Sequence, residues 1–195
     1  MSLNKERTNA ALAILMLLSF ALGCAQLKNL GGGGAEANKL IDSANKDLED
    51  IQKISDDNRS KPGEISEKAD NNDIDGAKKE IGDSIKAIDQ GLDKGKSASD
   101  KFDKASKAVE DPKVKEYLSL KAQAVQKSVD AFEELRKGLV VLQDNIGSSN
   151  KTAIQRAQKD VQRYSDNFTN LRSEADTLER KATDIARENP EKFKG

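Results

Sequence analysis

The chain has no histidine and no tryptophan, one cysteine and three prolines in 195 residues. Without histidine, zinc and haem sites lose their usual nitrogen ligand, and a Ser-His-Asp triad loses its base. One cysteine cannot close an internal disulfide. Aromatics make up only 4%, so a core must be assembled from Ile, Leu, Val and Ala with a few Phe. That is the composition of long amphipathic helices more than of a sheet. Segregated charge is missing too: 33 basic and 34 acidic side chains give a formal charge of -1 and are interleaved along the chain. A nucleic-acid partner needs a clustered basic face and is not expected. Together these absences point away from an enzyme and from any bound cofactor.

Apolar runs are confined to one place. Lys5 and Arg7 precede an uncharged, mostly apolar run from Ala10 to Leu22, followed by Gly23 and Cys24. A positive segment, an apolar segment and a small residue in that order read as an export signal. The run is well short of the ~20 residues that span a bilayer as a helix. Ala21-Leu22-Gly23-Cys24 resembles the lipobox of bacterial lipoproteins, with Ala21 and Leu22 in the reverse of the more usual order. The resemblance covers residues 1–24 and implies cleavage between Gly23 and Cys24, then covalent lipid, palmitate included, on Cys24. It also implies membrane attachment, because two or three acyl chains hold firmly where one binds marginally. Ala25 stands where Asp would retain such a protein at the inner membrane. The expected address is therefore the cell envelope, outer membrane over inner, facing the periplasm or the cell surface.

Residues 24–34 run from the cysteine into Gly31-Gly32-Gly33-Gly34, which loses too much backbone entropy to order readily. A flexible chain of that length reaches roughly 15 to 20 Å, enough to lift a domain off the headgroups.

From Ala35 the apolar spacing is helical. Leu40, Ile41, Ala44, Leu48, Ile51 and Ile54 form a first stripe. Ile74, Ile81, Ile88, Phe102 and Val109 sit at multiples of seven, each of the first places followed three residues on by a small residue: Ala77, Ser84, Gly91, Ala98, Ala105. Such a row lets a neighbouring helix approach closely. Asp111-Pro112 is an N-cap followed by a first helical residue, and the register jumps there, so a new helix starts. It carries Leu118, Val125, Phe132, Leu139 and Ile146 at strict sevens, with a broad apolar face suited to a central position. Asn150 caps a last helix whose seam runs Ile154, Ala157, Val161, Tyr164, Phe168, Leu171, Ala175, Leu178, Ala182, Ile185. That seam suits a partner helix in the same chain or in another copy.

The expected architecture is all-α: an elongated antiparallel four-helix bundle with coiled-coil-like heptad seams, over residues 35–189. Helices are placed at about 35–58, 73–110, 112–146 and 150–188, with a turn or two of helix around Ile65 and a tail at 190–195.

One motif invites a metal. Asn71, Asp73 and Asp75, followed by Gly76, occupy the first alternating positions of a calcium loop, but Gly82 stands where the bidentate Glu belongs. The simpler reading is a capped helix start. The function expected is thus a non-enzymatic, lipid-anchored envelope protein, a structural or protein-interaction module with a protein partner. The alternatives are a binding protein for a small ligand or cation near 71–76, or a cell-wall-linked structural lipoprotein. Helical outer-membrane lipoproteins of the Braun type resemble this layout and end in a wall-linked lysine; here Gly195 follows Lys194.

Overall fold

A computed structural model describes residues 34–193. These form five α-helices, four long and one short: α1 (Ala35–Asp57), α2 (Lys61–Asp70), α3 (Ile74–Ala108), α4 (Pro112–Asn145) and α5 (Lys151–Glu188). A single 3-10 turn, Pro190–Lys192, closes the chain. The all-α bundle read from the spacing is the fold found. The region around Ile65 is a ten-residue helix and not a turn or two.

Helix starts sit where the capping residues put them. The Asp73 carboxylate accepts from the Gly76 N–H at 2.9 Å. Asp111 accepts from the N–H groups of Lys113 and Val114 ahead of Pro112. Asn150 Oδ1 accepts from Thr152 and Ala153. Each cap satisfies donors that the first helical turn leaves without an intrahelical partner.

The helices pack in sequence: α1 and α2 both lie on α3, α3 on α4, and α4 on α5. α1 and α5 do not form a packed pair, so the fourth side of a square bundle is left open. Every interface is antiparallel. Asp47 and Ser43 of α1 meet Lys94 and Lys101 of α3, while α2 meets the start of α3 through Lys61 and Glu80. Between α3 and α4 the pairing runs from Lys78–Gln143 through Asp89–Arg136 to Ser99–Ala122. Between α4 and α5 it runs from Glu134–Asn167 through Ser128–Arg172 to Lys121–Glu179.

α4 is the central element. Its buried residues divide between two faces, Val114, Leu118, Val125 and Leu139 among them, with Tyr117, Ala124, Ala131 and Leu135 on a second row. This explains why its apolar face is broader than one seam requires. Phe132 spans both, meeting Phe168 of α5 edge to face at 5.4 Å between centroids, the geometry aromatic quadrupoles favour. The small row of α3 is buried throughout. At Gly95 an added Cβ would lie 2.6 Å from Val129 Cγ2, so this position sets how closely α3 and α4 approach. The helix runs through Gly91 and Gly95 without a break.

The last seam closes within the chain. Val161, Phe168, Ala175, Ala182 and Ile185 are buried and Tyr164, Leu171 and Leu178 half-buried, with α4 as the packed partner.

Candidate functional site

Cys24 and Gly23, the expected lipidation and cleavage positions, lie outside the described residues, as does Lys194. Of the three residues of the calcium-like loop, Asn71 and Asp73 lie in the turn between α2 and α3. Asn71 closes α2, and Asn72 takes a left-handed φ of 60°. Asp73 is the cap of α3 and lies 3.8 Å from the Lys68 ammonium, while Asp75 falls in the first turn of α3. The carboxylate that would lead a cation site is thus spent on backbone donors and faces a lysine. Among the described residues, no group of three or more His, Cys, Asp or Glu side chains is gathered to hold a metal ion.

A cavity of about 20 Å³ lies where α1, α3 and α4 meet, bordered by Ile51, Leu92, Gly95, Val125 and Ser128. That is room for about one water molecule. Its polar side chain, Ser128, donates to the Ala124 carbonyl and accepts from Arg172.

What the fold does assemble is a set of ionic clasps, at least one at each of the helix interfaces. Asp47 is a buried carboxylate on α1, 6% exposed, held by Lys101 at 2.5 Å and Lys94 at 3.4 Å. Burial alone would raise its pKa; hydrogen bonds from Lys101 and Ser97 and the Lys101 charge outweigh it and hold the group below the usual carboxylate value. Glu80 of α3, also buried, is met by Lys61 and Lys68 from α2. Arg136 grips Asp89 with two nitrogens across α3 and α4. Between α4 and α5 the buried member is a cation: Lys121 is 2% exposed and donates to Glu179 at 2.6 Å. Further along the same interface, burial would raise the pKa of Glu134, but hydrogen bonds from Asn167 and Lys137 lower it.

These clasps were missed in the sequence. The signal was present: Asp47 lies inside the Ala44–Ile51 stripe and Lys121 between Leu118 and Val125, charges set within apolar rows. A buried charge must find its counter-charge, so each fixes which helix lies opposite and in what register.

The outer surface is uniformly polar. Among the described residues, no Ile, Leu, Val, Phe or Tyr is exposed, and no helix is long and apolar enough to cross a membrane. Family models, curated proteins and solved structures were compared with the chain, and none matches.

Proposed function

We propose that this protein is a non-enzymatic, lipid-anchored module of the cell envelope, held through Cys24 and acting as a structural or protein-interaction element. The observation that carries the reading is the lone cysteine at the end of the single apolar run, in a lipobox-like setting. The bundle supports it: a rigid, polar-surfaced body of helices roughly 50 to 57 Å long is suited to standing off a membrane. A partner of such a surface is met through charge and hydrogen bonds, because the apolar seams are already used inside the chain.

The antiparallel order supports one detail. α1 begins beside the end of α3, and the C-terminal turn returns to the same end, where Lys192 reaches Asp111 and Phe193 meets Tyr117. Both ends of the described residues therefore lie at one pole. In an anchored protein that pole faces the lipid, and the α2–α3 and α4–α5 turns form the distal tip. The described C-terminal turn then lies close to the membrane, which favours a free-standing module over a bridge from membrane to wall.

The test is membrane fractionation with metabolic labelling by a palmitate analogue. Wild-type protein is expected to carry label and to stay with membranes through a high-salt wash. Cys24→Ser is expected to lose both, and a variant that remains membrane-bound without label would sink the reading.

A further inference from the structure

We infer that α1 and α2 form a releasable arm, which opens from α3 as one unit while α3, α4 and α5 stay packed. Both helices pack chiefly on α3, and neither forms a packed pair with α5; α1 reaches α4 where Ile51 borders the cavity beside Val125 and Ser128. The charges buried beneath them are two carboxylates, Asp47 and Glu80, and the lysines that meet them keep a quarter to two fifths of their side chains in water. On opening, both partners regain hydration, which offsets much of what separating them costs. The apolar content of the arm is aliphatic: Ile41, Leu48, Ile51 and Ile65, with two alanines.

α5 also has a single packed neighbour, but it is fixed along its length. Phe168 is set against Phe132 in the middle. At one end the turn residue Gly147 packs on Ile74, and at the other Lys192 and Phe193 clasp Asp111 and Tyr117. At the start of the arm the first described residues, Gly34 to Glu36, are exposed, and at its other end Lys68 lies 3.8 Å from both Asp73 and Glu80.

Once off α3, the arm loses the packing that supplies most helical stability in proteins. Under the proposed anchoring, on which this consequence rests, the arm then joins the spacer. Released and flexible, residues 34 to 73 would reach roughly 32 to 38 Å. The arm is an extensible tether folded against the body it holds.

Hydrogen exchange read by mass spectrometry on the full-length protein in detergent tests this. Amides of α1 and α2 are expected to exchange together, about tenfold or more faster than those in the middle of α4. Leu48→Ala is expected to accelerate both arm helices alike and to leave α4 and α5 unchanged; Lys101→Gln, which removes no apolar contact, shifts the same amides in the same direction. Exchange of the arm at the α4 rate overturns the inference, as does acceleration in Leu48→Ala that spreads equally to α5. A Cys24→Ser protein is expected to show the same exchange pattern while leaving the membrane. Loss of the anchor and loss of the arm are thereby read separately.

Discussion

The two outer layers of the bundle solve one problem in different ways. α1–α2 and α5 each bury one stripe against one neighbour and show a polar face to water. The N-terminal layer is a 23-residue helix and a ten-residue helix joined by a turn, and its buried charge is a carboxylate shared by two flexible lysines. The C-terminal layer is a single 38-residue helix whose Glu179 meets a lysine buried on α4, Lys121. A lysine that cannot reach water depends wholly on its partner, whereas lysines at a rim can turn outward when theirs is lost. Identical charge chemistry thus yields a hard lock on one side and a soft one on the other.

Substitutions can break or sharpen this contrast. The largest effect is expected for Phe168→Ala, about 4 kcal/mol in urea unfolding, from lost burial and the lost ring contact with Phe132. Leu48→Ala in the arm should cost about 2 to 3 kcal/mol, and an equal or greater loss would contradict the ranking of the two layers. Next comes Glu179→Ala, which strands the buried Lys121 ammonium and is expected to cost about 3 kcal/mol. Adding Lys121→Met should restore most of that loss. Asp47→Ala should cost about 1 kcal/mol, since Lys94 and Lys101 swing into solvent; thermal melts giving the two alanine variants the same loss would remove the distinction.

Gly147 has a φ of 81° and an added Cβ would lie 2.6 Å from Ile74 Cγ2, so Gly147→Ala should cost about 2 kcal/mol and loosen the distal tip. The caps are expected to matter least, with Asp73→Ala and Asn150→Ala each about 1 kcal/mol by chemical denaturation.

Acid should weaken both outer layers. Without histidine, no side chain of ordinary pKa titrates between about pH 5 and 8, and stability is expected to be flat there. Asp47 and Glu64 in the arm are held below their usual values, Asp47 by Lys101 and Ser97 against the opposing effect of burial, Glu64 by Ser60 and Lys61. A depressed folded pKa contributes stability above the unfolded value of about 4, and that stability is lost as pH falls through the folded value. Asp111 and Glu134, which hold the α5 side through Lys192 and Asn167, are lowered likewise, so hydrogen exchange at pH 3 should show both outer layers faster than at pH 7, and an unchanged rate in either would count against its clasps.

Much of the fold was legible because the periods and caps agree. Asp111-Pro112 and Asn150 mark helix starts that carry the same caps in three dimensions, and the sevens from Leu118 to Leu139 lie in the core. α2 was less legible: Ile65 is its one buried residue, so no apolar period announces it. It is held by Lys61 and Lys68 reaching across to Glu80, a long-range pairing that local spacing does not encode. The seam from Ile154 to Ile185 looked equally fit for a second copy, because periodicity describes a helix's face and not what covers it. The candidate site divides in the same way. The Asn71–Asp75 turn has a structural account as a cap, while Cys24 stays an inference from its neighbours in sequence.

The shared pole of the chain ends has a mechanical consequence. A pull applied between the two ends acts across the helices at one end of the bundle, and not along their axes. Under such a load the outer layers peel, and contacts give way one after another from that pole, as in a zipper, instead of all sharing the strain as in shear. The Lys192–Asp111 and Phe193–Tyr117 contacts sit at the slider of that zipper on the α5 side. On the α1 side the first described residues, Gly34 to Glu36, are exposed, so that side yields first.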